Sequence, residues 1–324
     1  MEPNLKPRTS ALDATGPNSV GRLLGQGLPA DLPRLDFAEL NFKAIPKLAG
    51  FLRSPFVRRA IQNRHKTALR TVVRELGLSP QQYLKRPLTA VLSDFHVLLQ
   101  KYRKCEYIYK NAIANALFLE RHYRDSSYLS AEFRCGGSRV DIAIFNGTST
   151  AYEIKTELDT FTKLPKQIAD YRNVFDRVYV VLSDRFKKSD LSVLDQSIGI
   201  IVVDYKLRIK VIRRAKSNIN HVSPSAIFDC LRRDEYLTIL KRHRGFKAEC
   251  ANSEIRRRAK NEFCSLTPEE AHTEFVACMR ARKNPSLLKI IGDVPKSLRY
   301  LSLTLESRPN SIATVTKFLH LPAV

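Results

Sequence analysis

Residues 128–156 read YLSAEFRCGGSRVDIAIFNGTSTAYEIKT, and this stretch decides the fold. Its three runs, YLSAEFR (128–134), SRVDIAIF (138–145) and TAYEIKT (150–156), alternate or cluster apolar residues as short strands do. Cys-Gly-Gly and Asn-Gly-Thr separate them, and these are turn signals, so two hairpins are expected. A helix follows over about 163–175, then RVYVVLS (177–183) and GIIVVDY (199–205), near-continuous Val/Ile runs of the kind buried on both faces of a sheet. RIKVIRR (208–214) adds an edge strand. Upstream, helical spacing covers 61–77, about 88–104 and about 107–123, with Ser79-Pro80 starting a short helix. Downstream of 216 the chain is helical again, with a capping box at Thr267-Pro268-Glu269-Glu270. The element order predicts an α/β fold with an αβββαβ core and a mixed sheet, flanked by N- and C-terminal helical regions. The corresponding division is a polar tail over 1–35, a basic helical region over 36–104, the core over 105–215 and a basic helical region over 216–324.

The charge is uneven. The whole chain carries 55 Lys+Arg against 32 Asp+Glu, a net +23. Residues 1–104 hold 18 basic and 7 acidic side chains and 216–324 hold 19 and 11, whereas 105–215 hold 18 and 14. Such an excess on the flanks is the electrostatic footprint of a polyanion partner, because neutralising phosphates releases condensed counterions. Nucleic acid is therefore expected, and a homodimer is a further expectation. No strongly apolar face rich in Lys and Arg argues for a membrane surface, and no apolar run approaches a bilayer span, so a cytoplasmic location is expected. Cys250, Cys264 and Cys278 recur every 14 residues near His243 and His272, but without short chelating pairs they read as core packing before zinc.

The turn at Asn146 governs the chemistry. With a two-residue turn, Asp141 would face Tyr152 and leave Glu153 on the other side. With a three-residue turn and its Gly-dependent bulge, Phe145 pairs with Ser149 and Asp141 meets Glu153. In the second register Asp141, Glu153 and Lys155 share a face. Two carboxylates across adjacent strands are ordinary ligands of Mg²⁺ or Mn²⁺, and an ammonium two residues on can position water or offset charge on a phosphate oxygen. The expectation is a phosphodiesterase centre: Asp141 and Glu153 as metal ligands, the Ile154 carbonyl as an additional one, and Lys155 as the group acting on water. The alternative is a solvated cross-strand pair with Arg139 and Lys155.

Asp141 followed by Glu153-Ile154-Lys155 resembles the D-x(n)-E-x-K signature of the PD-(D/E)xK nuclease superfamily, with Val140 where the superfamily name has Pro. Gln167 and Tyr171 are similar to the QxxxY motif of its RecB-like branch. The strings R-V-D, Y-E-I-K, L-P-K-Q and Y-x-x-V-F-D-R-V resemble a mostly uncharacterised bacterial branch, over about residues 105–205. The resemblance implies a restriction-endonuclease-like fold, a metal-dependent nuclease acting on DNA, and a supporting carboxylate on the first core helix, for which Glu106 is preferred over Glu120 and Glu132. Gln167 and Tyr171 would support the same site.

Two basic segments complete the reading. KYRKCEYIYK (101–110) interleaves Lys101, Arg103, Lys104 and Lys110 with tyrosines, a composition suited to phosphate contact and stacking. Arg256, Arg257, Arg258 and Lys260 form the densest basic run, a candidate phosphate clamp. The rival function is a catalytically silent nucleic-acid-binding protein that keeps the fold and the charge.

Overall fold

The structure, a computed structural model, describes residues 40–119, 127–157, 159–186, 194–247, 251–283, 290–305 and 311–324. The chain divides into two units, Met1–Leu40, of which Leu40 alone is described, and Asn41–Val324. The expected tail over 1–35 thus lies outside the described residues.

Helix α2 (Lys66–Glu75) fills most of the segment that helical spacing marks as one helix over 61–77, whose first residue, Ile61, instead ends helix α1 (Ser54–Ile61). The break lies at Asn63, whose φ of 59° is left-handed. Its N–H donates to the Ala60 carbonyl, and the Arg64 N–H donates to the Arg59 carbonyl, which together close α1 as a Schellman turn. Asn tolerates this conformation because its short polar side chain bonds locally, so no glycine marks the stop. Helix α3 (Pro80–Tyr83) is a single turn, and α4 (Leu88–Tyr102) is buried along most of its length. Helix α5 (Glu106–Ile113) passes into a π-helical turn over Ala114–Leu119, and the rest of the helix expected to 123 lies outside the described residues.

Six strands then form one mixed sheet in chain order: β1 (Tyr128–Cys135), β2 (Ser138–Phe145), β3 (Ser149–Lys155), β4 (Arg177–Ser183), β5 (Gly199–Val203) and β6 (Ile209–Arg213). The first three are antiparallel, β3, β4 and β5 run parallel, and β6 returns antiparallel at the edge. Helix α6 (Leu164–Arg172) makes the crossover from β3 to β4. Helices α7 (Pro224–Cys230), α8 (Arg233–Arg244), α9 (Asn252–Phe263) and α10 (Pro268–Ala281) share one apolar core with α6 and the sheet. Its centre is a set of edge-on rings, with Phe275 of α10 at 5.4 Å from Phe145 and 6.0 Å from Phe133. Thr267 accepts from the Glu270 N–H while Glu270 accepts from the Thr267 N–H, so the capping box that opens α10 is formed.

The last stretch of the chain does not stay with those helices. The helices Arg299–Thr304 and Ser311–Leu319 pack against α1, and the Leu88 N–H donates to the Leu321 carbonyl. From Asn41 on, the N-terminal and C-terminal helical regions are parts of the single unit Asn41–Val324. Among the described residues no helix is long and apolar enough to cross a membrane.

At the start of β5, Gly199 is set by close approach: a Cβ there would lie 2.3 Å from the Tyr179 ring and 2.8 Å from the Ala215 nitrogen. Tyr179 is itself stacked on Tyr152 at 5.5 Å and has little room to yield. Gly199→Ala is expected to cost about 1–3 kcal/mol, read from the urea midpoint at unchanged slope.

Buried imidazoles give the fold an acid limit. Burial lowers the pKa of His96 from 6.5 to about 4, and burial also depresses His65 and His272. The folded state then binds fewer protons than the unfolded chain between pH 6.5 and 4, so stability falls as pH falls through that window. His96 alone accounts for about 3 kcal/mol across it. Thermal melts at pH 7 and pH 4.5 are expected to show this loss, and His96→Gln is expected to reduce it.

Candidate functional site

The site lies where three strands stop pairing at one level. The β2–β3 turn has three residues: the Asn146 N–H donates to the Thr148 carbonyl, and Gly147 takes a φ of 99° that an L side chain rarely adopts. Phe145 therefore pairs with Ser149, and the ladder runs to Ile142 and Tyr152. One step further Asp141 stands opposite Glu153, but the ladder has opened, and Asp141 Oδ2 accepts from the Ile154 N–H at 2.8 Å in place of a strand carbonyl. On the other side, the β1–β2 ladder skips Glu132, which would stand opposite Asp141 between the pairs Ala131–Ile142 and Phe133–Val140. Glu132 has a φ of 54°. A non-glycine residue held in that region costs roughly 1–3 kcal/mol and is typical of sites where backbone strain serves a function.

Glu153 and Lys155 are held from α6. Glu153 is 3% exposed, and both its oxygens are engaged. Lys155 Nζ donates to Oε1 at 2.9 Å, Gln167 Nε2 to Oε1 at 2.6 Å, and Tyr171 Oη to Oε2 at 2.7 Å. Lys155 Nζ also donates to Gln167 Oε1 at 3.0 Å. Gln167 and Tyr171 lie one helical turn apart, so both reach the same carboxylate. A carboxylate offers about four lone-pair sites, so Glu153 keeps acceptor capacity for a cation.

Glu106, Glu132 and Asp141 bring one carboxylate oxygen each within 4.8 Å of one another. Lys110 of α5, 5% exposed, lies among them, paired with Glu106 and Glu132 and 3.1 Å from Asp141. Burial pushes the Asp141 carboxyl well above the usual carboxylate range, and the charges of Glu153 and Glu106 add to the push. Burial would lower the Lys110 ammonium, yet Asp141, Glu106 and Glu132 hold it above its ordinary value. Lys110 and Arg53 keep Glu106 below its ordinary value despite its burial. Two carboxylates, and a third carboxyl whose charged form is disfavoured, surround one ammonium and leave an oxygen-donor set with a net negative charge, of the kind that suits a divalent cation.

A cleft of about 570 Å³ opens onto this cluster, lined by Arg53, Arg58, Glu106, Lys110, Glu132 and Arg139 among others. Arg53 and Arg58 carry no signal in the sequence, since isolated arginines on a basic helix are indistinguishable from a solvated face. Glu106 and Glu132 both stand beside Asp141, while Glu120 lies outside the described residues.

The basic segments are placed differently from one another. Lys110 is turned inward as a counter-ion to three carboxylates at the wall of the cleft, a different placement from the exposed phosphate contact expected of it. Lys101 and Arg103 remain exposed, with Lys104 half-buried and Lys101 Nζ 5.0 Å from the Tyr102 ring centre. On α9, Arg256 and Lys260 both pair with Asp229, at 2.8 and 2.6 Å, and Arg256 lies over the Phe228 ring. Arg257 and Arg258 are exposed.

Residues 100–302 match the family described as bacteriophage P4 protein cII, more than half of the chain and all six strands. The curated Protein cII of Enterobacteria phage P4 is 26% identical over 81 residues, which is 24% of this chain and 31% of that protein, so the match spans about a third of the relative's length. A solved protein of unknown function from Silicibacter pomeroyi is 18% identical, covering 43% of this chain and 94% of its own, at a TM-score of 0.29.

Proposed function

We propose that this chain, which belongs to the bacteriophage P4 protein cII family, is a metal-dependent nuclease that hydrolyses phosphodiester bonds in nucleic acid, DNA before RNA. On this reading its sheet and crossover helix form a restriction-endonuclease-like core of the PD-(D/E)xK kind. The observation that carries the proposal is the convergence of Asp141, Glu153 and Lys155 at the opened β2–β3 ladder, with Gln167 and Tyr171 fixing Glu153.

Asp141 and Glu153, with the Ile154 carbonyl, would hold Mg²⁺ or Mn²⁺, and Glu106 and Glu132 extend the donor set. When bound, the ion supplies Lewis-acid activation of a phosphoryl oxygen and of water. The protein's own share is positional. Lys155 is fixed by Glu153 and Gln167, so its ammonium is preorganised to orient an attacking water and to offset charge developing on a phosphate oxygen. Tyr171 bridges Glu153 and the Arg139 carbonyl, tying that carboxylate to the strand that carries Asp141.

One observation favours the rival, a nucleic-acid-binding protein without catalysis: the Lys110 ammonium already neutralises part of the carboxylate cluster. Incubation with labelled linear, nicked and single-stranded DNA separates the two. Cleavage that needs Mg²⁺ or Mn²⁺ and stops with chelator is expected; binding without cleavage in either metal establishes the rival.

A further inference from the structure

We infer that the cleft between α1 and β1 is a subsite for a single-stranded nucleic-acid segment, in which Arg53 and Arg58 contact the phosphates. The inference rests on the nuclease reading for its orientation toward the carboxylates, but its binding component stands alone. Arg53 and Arg58 line the same cleft as Glu106 and Glu132. Arg53 is close enough to Glu106 to depress that carboxyl, yet among the described residues neither guanidinium is hydrogen-bonded to a carboxylate. Glu106 and Glu132 instead turn their charge to Lys110.

Five N–H donors on each guanidinium are thus left to face the cleft and solvent beside an acidic cluster that does not take them up. A phosphodiester reconciles the two halves. Its anionic oxygens match a guanidinium fork, and the same group must reach the carboxylates to be hydrolysed.

The dimensions choose the strand form. About 570 Å³ falls in the range of roughly 300–1,000 Å³ that holds a compact ligand, which suits the nucleotides of a single strand better than a duplex. The substrate class is therefore a free single strand, an overhang or a flap. Both arginines precede residue 100, where the family match begins, so this selectivity belongs to a segment outside the matched region.

The test uses the full chain with a labelled oligonucleotide, single-stranded or as a blunt duplex of the same sequence, in chelator so that nothing is cut. Fluorescence anisotropy is expected to show tighter binding of the single strand. Arg53→Gln/Arg58→Gln is expected to weaken that binding by roughly tenfold per guanidinium and to flatten the log-affinity against log-salt slope by about 1.4. Arg70→Gln/Arg74→Gln, which removes the same charge from exposed positions of α2, should change affinity far less. Arg53→Lys/Arg58→Lys keeps the charge and the stem, and is expected to restore the slope while leaving affinity below wild type.

Equal losses in the α1 and α2 pairs, or a duplex bound as tightly as the single strand, overturn the subsite. Adding Mg²⁺ then separates it from the nuclease reading. Absent cleavage with the binding pattern intact removes the nuclease and keeps the subsite. Wild-type cleavage by Arg53→Gln/Arg58→Gln removes the subsite and keeps the nuclease.

Discussion

Glu153→Ala is expected to destabilise the fold by about 3–5 kcal/mol, the scale for removing one partner of a buried ion pair. The Glu153 side chain is 4% exposed and that of Lys155 10%, so neither charge has bulk water to fall back on. Without the carboxylate, Lys155 keeps a single named acceptor, Gln167 Oε1, and Tyr171 keeps the Arg139 carbonyl. A cavity among Gln167, Tyr171 and Lys155 adds to the loss. Glu153→Gln retains the volume and one carbonyl acceptor, and is expected to fall between Ala and wild type. Urea titration followed by far-UV circular dichroism reads both; a loss for Glu153→Ala below about 0.5 kcal/mol, the range of ordinary surface substitutions, would show that the pair is solvated.

Asp141→Asn behaves in the opposite sense. Burial and the neighbouring Glu153 and Glu106 hold the Asp141 carboxyl above its ordinary range, so the charged form is unfavourable where it stands. An isosteric amide relieves that repulsion, and Lys110 still has Glu106 and Glu132. Stability is expected to be unchanged or higher, while hydrolysis falls by roughly 10²–10⁴, the range for removing a positioned catalytic group. Gain of stability with loss of activity marks a residue retained for function. Lys155→Met should lose hydrolysis on the same scale and keep nucleic-acid binding, because the ammonium is enclosed by Glu153 and Gln167. Calorimetric titration with Mn²⁺ separates the two variants: heat is expected for Lys155→Met and not for Asp141→Asn.

The strands and their order along the chain were legible because each follows from local chemistry. Asn146-Gly147-Thr148 sets a register, and Val/Ile runs set the buried centre. The register that brings Asp141 opposite Glu153 could be framed from the turn but not chosen from it, since two loop lengths fit the same residues. Other features depend on contacts distant in sequence. Lys110 reads as one cation in a basic run until the fold surrounds it with Glu106, Glu132 and Asp141. Glu132 gives no sign of its left-handed backbone, because nothing about a glutamate in a strand predicts it. Arg53 and Arg58 acquire meaning only when the fold lines one cleft with them, Glu106 and Glu132. The break at Asn63 was hidden for a simpler reason: apolar spacing continues across it, from Ile61 to Leu69, while the chain turns.

The most direct measurement is single-turnover cleavage of a saturating labelled single-stranded DNA in Mg²⁺ by wild type, Asp141→Asn and Lys155→Met, all shown to be folded. On the nuclease reading a measurable rate is expected for wild type and a fall of roughly 10²–10⁴ for each variant at undiminished DNA occupancy. Equal rates in all three, or no cleavage by wild type while DNA is bound, would contradict it.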